Sequence, residues 1–228
     1  MFTMTDRLAL RRARTADEIV GAAELIVHAA GPMGLTAKAL ADAVGVTPGA
    51  LYKHFPSLEA VLARVQSRVI ADLVGFVDEA ASRSPGDALA PVAATALALV
   101  AFARCEPRRF GLLARMLATP EPLVGDAAAA GVLSEAMAAL VRVRMRLVAA
   151  RLGGALGPGD DDERLLALWC VAHGATQLHK LARFAPIADS DRVARATLEG
   201  LFVGWGADPE VARRAIAAFP VSPVLEVS

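Results

Sequence analysis

The chemistry most specific to this sequence lies in the hydroxyl, amide and basic groups of residues 36–54. Such groups donate hydrogen bonds to phosphate oxygens, and a lysine can also donate to the edge of a guanine. Small residues in the same run allow the backbone to come close to a nucleic-acid groove. The residues predicted to contact DNA are Thr36, Lys38, Thr47, Pro48, Gly49, Ala50, Tyr52, Lys53 and His54.

Two short helices are predicted to hold this surface. Thr36 has the residue type of a helix cap, and Gly45 marks the end of that helix because glycine readily adopts a left-handed conformation. Thr47 followed by Pro48 predicts a second start at once, since proline at the first helical position removes only a donor that would be unpaired. The segment Leu35–Phe55 therefore predicts a helix-turn-helix. The alternative is an ordinary three-helix subdomain, in which Tyr52 and His54 only cover a core.

The flanking residues predict longer helices and an uneven distribution of charge. Thr15 followed by Glu18 has the pattern of a capping box, so the first helix is predicted from Thr15 to Ala30. Residues 1–15 have a net charge of 4 − 1 = +3 and are predicted to form a flexible basic arm. Residues 16–56 have a net charge of 2 − 4 = −2, so we expect this segment to bind DNA weakly by itself.

The rest of the chain has helical periodicity and no alternating strand pattern, which predicts an all-α fold of about nine or ten helices. A fourth helix is predicted from Ser57 to about Ala81, and later ones span 85–103, 107–118, 123–152, 160–184, 188–203 and 209–219. The predicted organisation is a basic arm at 1–15, a helix-turn-helix domain at 16–60, a ligand-binding and dimerisation domain at 61–220, and a tail at 221–228.

Composition narrows the class of protein. The net charge is zero, which argues against a protein that coats nucleic acid. The longest uncharged stretch, residues 88–103, has 16 residues, fewer than the about 20 that a membrane span needs. With no export signal evident, we expect a cytoplasmic chain that does not enter a membrane. Cys105 and Cys170 are expected to be free thiols.

Residues for enzymatic chemistry are not evident. His173 and His179 are six positions apart, about 240 degrees around a helix, so they do not form a helical metal pair. No glycine-rich phosphate loop follows a strand. The sequence therefore predicts no catalytic residue, no metal site and no cofactor.

The helix-turn-helix segment closely resembles the DNA-binding signature of TetR-family repressors. The resemblance covers the run from Gly34 to Ser57, and its most specific part is Gly49-Ala-Leu-Tyr-Lys-His-Phe55. It implies a homodimer that places two recognition helices in successive major grooves of a near-palindromic operator, and that leaves the DNA when a small ligand binds the C-terminal body. One departure concerns Leu58, which stands where many members carry a lysine, so a phosphate contact is in doubt.

The C-terminal body offers only candidate ligand residues. The run from Trp169 to Gly174 resembles a C-terminal domain type named for its tryptophan, histidine and glycine, and Trp169, His173 and Gln177 share one helix face. That face is predicted either to line a pocket or, as the favoured alternative, to belong to a packed core. Apolar candidates for the pocket are Phe102, Phe110, Met116 and Met137. The expected inducer is an apolar or aromatic compound.

Apolar residues on the last two long helices predict a dimer seam. The candidates are Leu165, Leu168, Leu178, Leu181, Leu198, Leu201 and Phe202. The predicted function is a homodimeric repressor that binds operator DNA and is released by a small molecule. The alternative functions are a helical small-molecule binder or enzyme with a vestigial helix-turn-helix, and a domain whose first three helices dock a protein.

Overall fold

The computed structural model describes residues 4–84, 86–118, 126–178 and 189–220, and these form helices and no strand. A short 3-10 turn covers Pro32–Gly34. The described residues form ten α-helices, which are α1 (Met4–Ala30), α2 (Ala37–Val44), α3 (Pro48–Leu51), α4 (Leu58–Ser82), α5 (Ala90–Cys105), α6 (Pro107–Ala118), α7 (Asp126–Leu152), α8 (Asp161–Gln177), α9 (Ser190–Gly204) and α10 (Pro209–Ala217). The predicted all-α class is confirmed.

The first helix begins much earlier than the sequence pattern indicated. It runs from Met4 to Ala30, so the prediction of a flexible arm at 1–15 is wrong for residues 4–15. Thr15 is inside the helix, and its hydroxyl donates to the carbonyl of Arg11 at 3.1 Å instead of capping an end. The physical reason is that residues 4–15 contain neither glycine nor proline and are rich in alanine, leucine and arginine, which favour helix.

Other helix ends follow their capping chemistry. Ser57 accepts from the backbone N–H of Ala60 at 3.1 Å and starts α4 as predicted. Helix α5 begins at Ala90 and not at residue 85, because Gly86 has a φ of 118° that a continuous helix does not allow. Aspartates at positions 160, 189 and 208 cap α8, α9 and α10 by accepting two backbone N–H groups each. Positions 123–125, 179–188 and 221–228 lie outside the described residues. Parts of the predicted helices 123–152, 160–184 and 188–203 and the predicted tail fall there.

Contacts divide the chain into two compact units. The first comprises Met1–Ala71 with Arg108–Glu135, and the second comprises Asp72–Pro107 with Ala136–Ser228. The predicted boundary after residue 60 is therefore displaced. The cause is that Leu58–Ser82 is one unbroken helix, whose first half is tied to α1 through ion pairs of Arg68.

The second unit has a core centred on α5. This helix is buried along most of its length and packs against α8, α9 and α10. The largest buried side chains of this core are Leu89, Leu97, Leu147, Leu198 and Phe202. Within the described part of the chain, no single helix is long and apolar enough to span a membrane, and α5 with α6 meets that test only as a bent pair.

Candidate DNA-binding site

The turn between α2 and α3 is built as the sequence predicts. The Thr36 hydroxyl caps α2 by accepting from the backbone N–H of Ala39 at 3.1 Å. Gly45 ends the helix in the left-handed conformation with φ 74°, and its N–H donates to the carbonyl of Ala41. Ala41 itself is 1% exposed, which is consistent with close helix packing at this residue. The predicted cap and stop are confirmed.

Helix α3 is a single turn. It begins at Pro48 after Thr47 and ends at Leu51, and the predicted continuation to Phe55 consists of hydrogen-bonded turns. The N–H groups of His54 and Phe55 both donate to the carbonyl of Leu51, at 2.9 and 3.0 Å. Leu51 is 3% exposed and fixes this turn to the core of the first unit. Burial of the Leu51 side chain therefore anchors the short helix α3 to the first unit.

The residues predicted to contact DNA lie mainly on the surface. Ala50 and His54 are half-buried, and the other seven are exposed: Thr36, Lys38, Thr47, Pro48, Gly49, Tyr52 and Lys53. Tyr52 is 50% exposed, so its ring does not fill a core, and the alternative assigned to it is not supported. We call the exposed residues from Thr47 to Lys53 the α3 surface.

Polar groups of this surface are not used by the fold. The Thr47 side chain makes no capping bond, and no hydrogen bond to its hydroxyl is found among the described residues. The Thr36 hydroxyl accepts in its cap, so its own proton is left to donate. Lys38 and Lys53 form no ion pair within the described part of the chain. Two hydroxyl groups and two ammonium groups are thus available to an anion from outside.

Gly49 has no structural need to be glycine. A Cβ atom built at this position meets nothing within 4 Å, and its φ is not in the left-handed region. Glycine inside a helix costs about 0.5 to 1 kcal/mol relative to alanine. A small residue that the fold does not require is typical of a surface that a partner approaches closely.

Arginines from other segments compensate the acidic charge predicted for residues 16–56. Arg68 lies 3.4 Å from a carboxylate oxygen of Asp17 and 3.9 Å from one of Glu24. Glu24 also binds Arg109 of α6 at 2.8 Å, and Glu18 binds an arginine one turn earlier at 3.3 Å. Of the four acidic residues of the window, three are therefore paired. The net negative charge of residues 16–56 is therefore a weaker argument against DNA binding by this segment.

The basic residues of the N-terminal segment lie on a helix. Arg7, Arg11 and Arg14 are spaced i, i+4 and i+7, so they share one face of α1, and all three are exposed. Arg14 pairs with Glu18, whereas Arg11 has no acidic partner among the residues described. The first turns of α1 thus carry a basic stripe instead of a flexible arm.

The apolar ligand candidates differ in burial and in the unit to which they belong. Phe102 is buried in the second unit, where its ring lies 6.2 Å from that of Phe76, and Phe110 is buried in the first unit. Met137 is 52% exposed, so it does not line an interior cavity. The side chain of Met116 lies outside what the structure describes.

The predicted face of α8 is formed, but it is on the surface. The rings of Trp169 and His173 stack with centroids 6.0 Å apart and planes within 10°. Trp169 is 37% exposed, His173 is half-buried and Gln177 is exposed. Neither the pocket nor the core predicted for this face is supported. Two further exposed residues adjoin it, Leu166 at 62% and Cys170.

The residues predicted for a dimer seam are mostly internal. Leu168, Leu198 and Phe202 are at most 3% exposed in the single chain, so they pack within the protomer and cannot form the seam. Leu165, Leu178 and Leu201 are half-buried, and Leu181 lies outside the described residues. The exposed apolar residues of α8 and α9 are others: Leu166, Trp169, Cys170 and Val203. We call these four the α8–α9 surface.

One buried polar residue, Gln66, was not among the residues predicted from the sequence. Gln66 of α4 is 0% exposed, and neither atom of its amide has a hydrogen-bond partner among the described residues. An uncompensated buried amide costs about 1 to 3 kcal/mol. The sequence did contain a signal, since Gln66 stands between Leu62 and Val69 at core spacing, but a glutamine in a helix is ordinarily taken for a surface residue.

The second unit also has a surface depression of about 520 Å³ between residues 157–167 and 204–206. Arg164 lines it, but its guanidinium is occupied: it donates to the carbonyls of Gly157 and Pro158 and lies 5.6 Å from the ring centre of Trp205. In the described residues, no three His, Cys, Asp or Glu side chains are grouped so that they could hold a metal.

Two family profiles match the chain. The profile described as bacterial regulatory proteins, tetR family, matches residues 19–65, and the profile of the tetracyclin repressor-like C-terminal domain matches residues 92–201. No curated protein sequence matches the chain.

Solved structures share the fold over nearly the whole chain. A protein of unknown function from Rhodococcus sp. RHA1 has 25% identity and a TM-score of 0.72, covering 84% of this chain and 95% of its own. RolR in complex with resorcinol has 18% identity and a TM-score of 0.63, covering 93% and 98%. AibR in complex with isovaleryl coenzyme A and operator DNA has 13% identity and a TM-score of 0.60, covering 85% and 100%.

Proposed function

Because the chain belongs to the TetR family of bacterial regulatory proteins, we propose that it is a homodimeric repressor released from a palindromic operator by a small uncharged ligand. The observation that carries the proposal is the α3 surface, which combines unengaged donors with a glycine that the fold does not require. Helix α3 enters the major groove, with Gly49 allowing close approach.

Base and phosphate contacts are divided among the exposed residues. Lys53 donates to a guanine edge or a phosphate, and Tyr52 and Thr47 donate to phosphate oxygens. Thr36 and Lys38 bind the backbone from the start of α2, where the N–H groups favour an anion. The basic stripe of α1 adds contacts that carry no sequence information.

A second copy of the chain covers the α8–α9 surface. Its four residues are exposed and apolar, an arrangement that monomeric proteins avoid when the residues are contiguous. Dimerisation supplies two α3 surfaces for two half-sites, and it doubles the phosphate contacts of a module with few basic residues.

Release by a small molecule is supported by what the structural neighbours bind. RolR holds resorcinol, and AibR holds isovaleryl coenzyme A together with operator DNA. These ligands belong to those proteins, but they support a small-molecule inducer for this chain. An inducer acts by binding the DNA-free conformation more tightly than the DNA-bound one.

The test is titration of labelled DNA from the region upstream of the gene, read by fluorescence anisotropy at low and at moderate salt. The expected result is tight binding that weakens steeply with salt and is lost in a Tyr52→Ala/Lys53→Ala variant. An Arg83→Ala variant is the control, because Arg83 is an exposed arginine paired with Glu79 far along α4. Failure of the wild-type protein to bind any upstream fragment would contradict the proposal.

A further inference from the structure

The side chain of Gln66 is buried without a hydrogen-bond partner. It is 0% exposed, and neither Nε2 nor Oε1 meets a donor or acceptor within the part of the chain that the structure describes. Native proteins rarely leave a buried amide in this state, because it has lost its bonds to water and gained none in return. No described residue supplies the missing partner, and a molecule bound beside this side chain would supply it.

The face of α4 around Gln66 is otherwise apolar. Its neighbours on this face within about one turn are all buried hydrophobic residues: Leu62, Ala63, Val69 and Ile70. Glu59 lies on the same face nearly two turns away and is exposed. The charged residues of this stretch, Arg64 and Arg68, are about 160° away. Arg68 is directed to carboxylates of α1, so Gln66 faces away from α1. Within one turn of this helix, a molecule bound at Gln66 thus contacts only hydrocarbon and one amide.

This environment selects the chemistry of the bound group. A glutamine amide offers two N–H donors and one carbonyl acceptor, so a neutral group that both donates and accepts satisfies both of its atoms. Carboxamides and phenols are such groups. A carboxylate or an ammonium ion would be buried on a face that carries no opposite charge within one turn of Gln66, at a large cost in desolvation.

We propose that Gln66 is the polar recognition residue of the inducer site, and that the inducer is a mostly apolar, uncharged molecule carrying a carboxamide or a phenolic hydroxyl. The description of this ligand as an inducer rests on the proposed function. Binding of the ligand at Gln66 does not. Apolar contact supplies much of the affinity, and the amide discriminates between ligands of equal size.

The first experiment measures binding of small probes to the full chain without DNA. Phenol and benzamide are compared with toluene, which has a similar size and no polar group, and with benzoate, which is charged. Thermal denaturation and calorimetry are the readouts. We expect phenol or benzamide to raise Tm and to bind about tenfold more tightly than toluene, and benzoate to have the smallest effect.

Two variants connect this preference to the residue. Gln66→Met keeps the length of the side chain and removes both hydrogen-bonding atoms. Ile70→Val is the matched control, since it trims one methylene from the same face and keeps the amide. We expect Gln66→Met to have a Tm no lower than that of the wild type and to bind toluene at least as well as phenol or benzamide. The Ile70→Val variant should keep the wild-type preference.

Two results would overturn the inference. One is a preference for the polar probes that is unchanged in Gln66→Met, which would mean that an ordered water alone completes the amide. The other is that neither polar probe binds the wild-type protein. Operator binding is measured separately, so a Gln66-dependent preference in a chain that fails to bind DNA would contradict the proposed function and leave this site standing.

Discussion

Gly45 and Gly49 lie four positions apart and lack a side chain for different reasons. Gly45 has a φ of 74°, which an L side chain adopts only with strain, whereas Gly49 has ordinary helical geometry and open space around it. The fold therefore requires the first glycine, whereas under the proposed function the second allows DNA to approach closely. Turn chemistry of this kind is local, which is why the sequence alone predicted the cap at Thr36 and the stop at Gly45.

We predict opposite effects for alanine at these two glycines. Gly49→Ala should leave stability unchanged or raise it by up to about 1 kcal/mol. Operator affinity should fall by roughly tenfold or more, the effect of losing one good base contact. Gly45→Ala should lower stability by about 1 to 2 kcal/mol. Urea denaturation measures the stabilities, and anisotropy with operator DNA measures affinity. Wild-type affinity in Gly49→Ala would show that the α3 surface does not approach DNA closely.

The burial of Gln66 could not be predicted from residue type. Its position in the chain has the spacing of a core residue, but only the packed structure shows that it is 0% exposed and that no described residue pairs with its amide. The same limit applied to Phe202 and Trp169. Residue type placed the first in a seam and the second in a pocket or a core, while packing buries the first and exposes the second.

At the scale of the element, helix ends with a clear cap were predicted well, and ends without one were not. Ser57 and Pro209 mark the starts of α4 and α10 as expected. The start of α1 was misplaced because Thr15 imitates a cap inside a run of helix-forming residues. In α8, apolar residues occur on several faces, so periodicity does not indicate which face is covered.

The basic stripe on α1 should contribute to the salt dependence of DNA binding. Each phosphate contact that is lost lowers the slope of log affinity against log salt by about 0.9. We predict that Arg11→Ala reduces this slope by about 1 per subunit and weakens binding to specific and random DNA equally. Anisotropy titrations over a range of salt measure the slope. A slope identical to that of the wild type would exclude Arg11 from the interface.

Helix α8 is tied to α7 by Asp161, which makes the second unit sensitive to acid. A hydrogen bond from Arg151 at 2.9 Å, together with its charge and that of Arg164, holds the pKa of Asp161 below its ordinary value of 3.8. A carboxyl with a lowered pKa stabilises the fold above about pH 4, and this contribution is lost as pH falls through the lowered pKa.

We predict that Asp161→Asn lowers Tm by several degrees at neutral pH. The variant should also lose less of its remaining stability than the wild type when the pH is taken below about 4, because the titrating group is gone. Thermal denaturation across a series of pH values makes the comparison. Parallel stability curves for the two proteins, displaced by a constant amount, would show that Asp161 contributes no pH dependence.

For the whole molecule, dimerisation is the proposal on which the others depend. We predict that Leu166→Glu converts the dimer to a monomer, because it places a charge in the α8–α9 surface. Leu152→Glu is the matched control, since Leu152 is 74% exposed on α7 and not part of that surface. Sedimentation measures the mass. A dimer that persists in Leu166→Glu would move the interface to another face.

The central claim is that two α3 surfaces read a specific DNA sequence as a pair. The most direct measurement is selection of bound sequences from a random DNA pool by the wild-type protein and by the Lys53→Ala variant. We predict that the wild type enriches a near-palindrome whose half-sites are about one helical turn apart, and that Lys53→Ala relaxes the preference at one base in each half-site. Recovery of no common sequence by the wild-type protein would contradict the claim.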